Sequence, residues 1–386
     1  MTTSLFRRPV SRHRGRHRSA LALATVLLSS ISWAAGAAPA TAAPAANPQF
    51  LLVGGTASGT VSVLRMNGDG SLTAVAGSPF GVDIGLFSLA LTPQGRNVYA
   101  TQAGTQKITG YHIDDNGALR QLPGAEVGTD GIPITAVVSP DGTRLYAAFG
   151  GFPGRVGTYA IAASGALTEL SSQQVPGMDF GMLSMVTIDP SGRYLRFVGP
   201  MDGEIASFAI GADGGLTSLG APLAAGVLPV NPGYTPDGRF VYVSQEQGLA
   251  VNGYAIGADG SLTPTPGSPY AVPAMPHNAE VSTDGRRVYI PSVAAGKING
   301  FAIGADGALT PLPNSPYSTP LGSGPGWVLL SDDQKHLYAT ETLTTGITSK
   351  VLVYDVAADG SLTPSAAPAV DTGVVFADGP VMVKTT

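Results

Sequence analysis

Residues 235–263 read TPDGRFVYVSQEQGLAVNGYAIGADGSLT. Two apolar runs, around Val241-Tyr242 and around Tyr254, are bounded by Asp237-Gly238 and Asp259-Gly260. Asp-Gly between apolar runs is a strong hairpin signal, because Gly tolerates the positive φ that a tight turn demands. The stretch therefore holds successive short antiparallel strands, and the rest of the chain repeats it.

The first half recurs as Thr92-Pro-Gln-Gly-Arg96, Ser139-Pro-Asp-Gly-Thr-Arg144, Asp189-Pro-Ser-Gly-Arg193 and Ser282-Thr-Asp-Gly-Arg286, with Ser331-Asp-Asp-Gln-Lys335 as a degenerate copy. The second half ends in Leu262, whose counterparts are Leu72, Leu119, Leu167, Leu216, Leu309 and Leu362, spaced by 47, 48, 49, 46, 47 and 53 residues in chain order. Eight residues before each stands Leu64, Tyr111, Tyr159, Phe208, Tyr254, Phe301 or Tyr354. A four-stranded unit of this length cannot bury both faces alone, and radial stacking of seven such units gives a β-propeller. The ends fit that closure. Phe50-Leu-Leu-Val53 matches a second strand and Gly379-Pro-Val-Met-Val-Lys384 a first strand, so three N-terminal strands and one C-terminal strand complete the seventh blade and leave no exposed edge. The expected class is all-β, with four antiparallel strands per blade.

Composition agrees with a chain of many turns. Gly and Pro account for 83 of 386 residues, and there is no Cys, which excludes disulfides, thiolate nucleophiles and cysteine metal sites. Residues 1–42 carry six arginines, no acid, an apolar stretch over 20–31 and an Ala40-Thr41-Ala42 end, the layout of a secretory signal peptide. An Ala/Pro linker over 43–48 would follow, then the propeller over 49–386. Loss of the leader leaves 15 basic against 26 acidic residues, a net charge of −11, which argues against nucleic-acid or anionic-membrane partners. A monomer outside the cytoplasm is expected. The acidic turns Asn67-Gly-Asp-Gly70 and Asp114-Asp-Asn-Gly117 lack calcium-loop spacing and read as hairpins. The three histidines beyond the leader, His112, His277 and His336, are not paired at ligand spacing, so neither a metal nor a cofactor is expected.

The repeated Pro-Asp-Gly-Arg-x-Val-Tyr-Val with downstream Ala-Asp-Gly-x-Leu-Thr resembles the lactonase-type seven-bladed propellers, which include phosphogluconolactonase and carboxymuconate-cyclising enzymes. Gly238-Arg-Phe-Val-Tyr-Val-Ser244 is also similar to YVTN-type propellers of surface proteins. The resemblance spans essentially residues 49–386. It implies a hydrolase or cyclase acting on a small carboxylated lactone. The alternative is a non-catalytic propeller that recognises a glycan, peptide or cell-surface partner.

Propeller topology places both sets of Gly turns on one face, where the sequences are nearly uniform. Function is expected on the opposite face. Aligned first strands put Phe87, Ile134, Ser184, Val230, His277, Gly326 and Val381 in one column beside the central channel. His277 breaks that column and could activate a water near neutral pH. Glu246, in Tyr242-Val-Ser-Gln-Glu246, matches the Glu of a Tyr-Val-x-Asn-Glu pattern of the lactonase-like relatives, with Gln245 in place of Asn. Pro276-His-Asn278 resembles their Pro-His-Ser, whereas Pro229-Val-Asn231 stands where Arg-His is usual. Arg196 takes a position held elsewhere by Tyr99, Tyr146, Tyr242, Tyr289 and Tyr338, and a guanidinium there could bind a carboxylate or an oxyanion.

Overall fold

A computed structural model describes residues 48–383. The leader expected over 1–42, and all but the last residue of the linker, lie outside the described residues. Strands fall into seven antiparallel sheets. Blade 1 begins with the inner strand Leu86–Leu91, blade 2 with Ile132–Val138, blade 3 with Met185–Ile188 and blade 4 with Pro229–Tyr234. Blade 5 begins with the short strand Glu280–Val281 and blade 6 with Gly324–Leu330. Blade 7 joins Ala377–Val383 to Gln49–Gly55, Thr60–Met66 and Leu72–Ala74, with Leu51 paired to Met382 and Leu64. Each inner strand touches the next around the molecule, and blade 6 touches the C-terminal strand, so the ring is closed as the sequence predicts.

Alternation with period two explains why the blades pack. In Phe240–Gln245 every residue is buried because one side faces the preceding blade and the other the following blade. The recurrent Tyr closes four of the joints. Tyr99 Oη donates to the Gly165 carbonyl at 2.8 Å, Tyr146 to Gly214 at 2.9 Å, Tyr242 to Gly307 at 2.9 Å and Tyr289 to Gly360 at 2.8 Å. Each bond links one blade to the Gly turn of the next. Gly307 has φ +81°, and a Cβ there would come within 2.5 Å of the Phe240 ring, so the turn admits only Gly.

The repeated Thr/Ser-x-Asp-Gly turns carry their own hydrogen bonds. Thr235 Oγ1 donates to Asp237 Oδ1 at 2.6 Å, while Arg239 N donates to the same oxygen at 3.1 Å. Ser282 with Asp284 and Ser331 with Asp333 repeat the arrangement. These turns are scaffold.

Candidate functional site

At the opposite end of the channel lies a cavity of about 330 Å³. Its wall is built from inner-strand starts and blade connections, among them Phe87, Ile134, Met185, Val230, Glu246, His277, Trp327 and Asp378. The wall is largely apolar, with polar groups contributed by several blades.

His277 is held there by its neighbours in the chain. Pro276 bridges to Ser292, His277 N donates to the Pro291 carbonyl at 3.1 Å, and the Asn278 amide exchanges two hydrogen bonds with the Val328 backbone at 2.9 and 3.0 Å. Blade 5 has a short inner strand, so the Asn278 side chain supplies the joint to blade 6. That clamp fixes the imidazole beside it. Glu246 follows the second strand of blade 4, and its amide donates to the Leu228 carbonyl at 2.9 Å. The two expected residues meet. His277 Nε2 lies 3.4 Å from Glu246 Oε1, with 15% and 20% of the respective side-chain surfaces exposed.

Two further groups complete the cluster. Asn231 Nδ2 is 3.2 Å from His277 Nδ1. With the amide donating, Nδ1 is an acceptor and the ring proton sits on Nε2, toward Glu246. Trp327 meets the His277 ring edge-to-face at 5.2 Å between centroids, and its Nε1 donates to Asp378 Oδ1 at 2.8 Å. Asp378 also accepts from Gly379 N at 2.8 Å.

Burial sets the protonation states. It pushes His277 down to about 4, against a hydrogen bond with the Gly326 backbone, so the imidazole is neutral at pH 7. Burial also raises the Glu246 carboxyl. Asp378 is pushed up to about 6, first by burial and further by the nearby Glu246 carboxylate, against the N–H groups of Gly379 and Trp327. The cluster thus contains a carboxyl that holds its proton in mildly acidic solution, beside a second carboxyl and a neutral imidazole.

Arg196 is not in this cavity. Its position along blade 3 is that of the recurrent Tyr, and it does the same work: Nη2 donates to the Gly260 carbonyl at 2.6 Å, the turn of the next blade. The side chain is 1% exposed, and its Nε and Nη1 have no hydrogen-bond partner. The expected anion partner is therefore a structural clasp. No Lys or Arg lines the cavity among the described residues.

The channel column is also amended. Phe87, Ile134, Val230 and His277 line the cavity, but Ser184 is buried with its Oγ donating to the Gly181 carbonyl at 2.7 Å. Gly326 falls in a break of register between Pro325 and Trp327, which puts Trp327 on the wall. Val381 pairs with Leu52, and a similar break brings Asp378 and Gly379 to the cavity instead. Bulges of this kind re-aim side chains without a signal in the repeat. Trp327 and Asp378 leave no trace in the repeat for this reason. Asn231 is visible in the sequence only as the residue standing where Arg-His is usual, and it takes a left-handed φ of +43°, which suits Asn.

A closed seven-bladed ring with a titratable cluster at one channel mouth defines the class. The family model described as "Lactonase, 7-bladed beta-propeller" matches residues 24–271 and, in an overlapping match, 178–369. The chain belongs to that family. Among solved structures it is similar to a periplasmic gluconolactonase of Pseudomonas aeruginosa, with TM-score 0.70 and 18% identity over 88% of this chain and 100% of that one. It is also similar to proteins named as candidate 6-phosphogluconolactonases from Bacteroides fragilis and Bacteroides uniformis. The first gives TM-score 0.73 at 19% identity, covering 89% of this chain and 99% of that one. The second gives 0.73 at 17%, covering 87% and 100%. At these identities the likeness establishes the fold. No curated protein matches the sequence.

Proposed function

We propose that the protein is an extracytoplasmic hydrolase that opens a small, uncharged lactone, with Glu246 as the base, His277 as the residue that positions it, and Asp378 as the acid. The observation that carries this reading is the 3.4 Å contact of His277 Nε2 with Glu246 in a cavity that also presents Asp378. A general base must lie within hydrogen-bond reach, or one water, of the proton it takes. In the proposed step Glu246 accepts a proton from a water whose oxygen attacks the lactone carbonyl carbon, and the His277 Nε2–H orients that carboxylate. The ring C–O bond of the tetrahedral intermediate then breaks, and Asp378 gives its proton to the departing alkoxide. One water is consumed, a hydroxy acid is released, and exchange with solvent takes the proton from Glu246 and restores the one on Asp378 for the next turnover. Neutral donors on the wall, the Ser88 hydroxyl and the Asn231 amide, would face the developing oxyanion.

The carboxylated ring suggested by the family resemblance fits this wall poorly. Two carboxyl groups and no Lys or Arg would oppose a second anion. The export expected from residues 1–42 and the periplasmic location in the name of the Pseudomonas relative support action outside the cytoplasm.

The test is a panel of neutral, carboxylated and phosphorylated lactones assayed with purified protein and with Glu246→Gln. Turnover of neutral members, lost in the variant, is the expected result. Turnover of carboxylated members alone would reject the charge argument, and no turnover of any member would reject the enzyme reading in favour of a binding propeller.

A further inference from the structure

Five inner strands are entered through a residue with left-handed backbone: Gly85 at φ +76°, Leu183 at +60°, Leu228 at +51°, Met275 at +58° and Phe376 at +58°. Such a φ is natural for Gly and strained for Leu, Met or Phe. At residue 85 no choice exists, because a Cβ would sit 2.5 Å from the Gly104 amide nitrogen. At the other four the chain carries a large apolar side chain where Gly would relieve strain, and all four line the cavity. Strained residues collected at one mouth are a functional signal when the side chains share a chemistry.

The collar they form continues outward. Leu183 and Phe376 are 40% and 45% exposed while lining the cavity, and Leu343 beside them is 47% exposed. Among the described residues every exposed large hydrophobic side chain except Leu170 and Leu219 belongs to the loops and strand ends of this face, including Ile84, Met182, Val227 and Leu249. Leu170 and Leu219 stand apart from it, Leu219 beside the Gly260 turn. Apolar surface on this scale, concentrated on one face and running into a cavity without Lys or Arg, calls for an uncharged apolar ligand.

We infer that Leu183, Leu228, Met275 and Phe376 form a specificity collar, and that the substrate is a lactone bearing a hydrocarbon chain that lies across it while the ring reaches His277 and Glu246. The inference rests on the lactone reading above and names its substrate class.

The test separates the two. Trp327 is the only tryptophan between residues 43 and 386, and it lies on the cavity wall, so its fluorescence reports binding without turnover. The probes are 2-pyrrolidinone and 5-pentyl-2-pyrrolidinone, lactam analogues that resist hydrolysis, alongside γ-butyrolactone and γ-nonalactone as substrates. Burial of each methylene gains about fourfold in affinity, so the pentyl lactam is expected to bind at least about thirtyfold more tightly than its parent. Leu183→Gly and Phe376→Gly each reduce that ratio severalfold, and Leu183→Asn does the same with a residue that also accepts positive φ. Because Gly and Asn suit the left-handed backbone, thermal midpoints of the variants hold, which separates a lost contact from a lost fold.

Equal affinity for the two lactams, or a ratio unchanged in the Leu183→Gly/Phe376→Gly double variant, overturns the collar. So does binding to phosphatidylcholine vesicles with no chain-length preference among the soluble probes, which would give the face to a lipid surface. A chain preference in binding with no lactone turnover supports the collar and rejects hydrolysis; turnover of both lactones at equal efficiency rejects the collar and leaves hydrolysis standing.

Discussion

The two faces of the ring are made from the same repeat and obey different rules. On the turn face, Thr235 with Asp237 and Tyr242 with Gly307 exemplify a set of hydrogen bonds that recurs from blade to blade. On the cleft face the blades diverge: registers break at Pro325 and Leu52, large apolar residues adopt positive φ, and three titratable groups are buried together. Repetition serves stability because most joints share one geometry. Departure from it brings different groups from different blades to one pocket, as the proposed chemistry needs.

Substitutions can probe that division, and the largest effects belong to the cleft. Glu246→Gln or His277→Ala is expected to lower kcat/KM for a neutral lactone by about 10²–10⁴, the usual contribution of a positioned acid or base, while circular dichroism stays unchanged. The rate should rise with pH as Glu246 ionises, at a point above the ordinary 4.5, and fall as Asp378 loses its proton near 6. A flat profile would remove both carboxyls from the mechanism.

Asp378→Asn comes next in size. Asn keeps an acceptor for Trp327 but cannot ionise. The folded pKa of Asp378 is raised from 3.8 to about 6, so the folded state holds the proton more tightly, and stability falls as pH rises through that window. The variant should be more stable than the parent by about 3 kcal/mol above pH 7, with the gain vanishing near pH 4. Urea unfolding at the two pH values measures it.

Arg196→Tyr restores the recurrent clasp on the other side of the division. Removing a buried guanidinium with two unpartnered nitrogens is expected to stabilise blade 3 by about 1–3 kcal/mol and to leave lactone turnover within twofold. A loss of turnover with an intact fold would return Arg196 to the site. The smallest effect is Tyr242→Phe, which leaves the Gly307 carbonyl without its donor and should cost about 1 kcal/mol in thermal unfolding.

The fold is readable because it is written seven times. Leu262 and its counterparts fix the period, and Asp237-Gly238 and Asp259-Gly260 mark the turns within it. The closure of blade 7 follows from the complementary ends. The site is legible only where a residue breaks a column, as His277 does, or follows a strand onto the working face, as Glu246 does. Trp327 and Asp378 reach the cavity through bulges, whose register shift depends on the neighbouring strand and leaves no periodic trace. Arg196 shows the opposite failure. It breaks a column as visibly as His277, yet it bonds the same carbonyl that the tyrosines bond, so an unusual residue at a repeated position marks a substitution of one clasp for another.

The central claim is that Glu246 and His277 act as one unit in the cleft. The direct measurement is kcat/KM of Glu246→Gln, His277→Ala and the double variant on the best neutral lactone. Residues that share one step lose the same activity once, so the double variant is expected to fall no further than the poorer single variant. Losses that multiply, or single variants as active as the parent, would contradict the account.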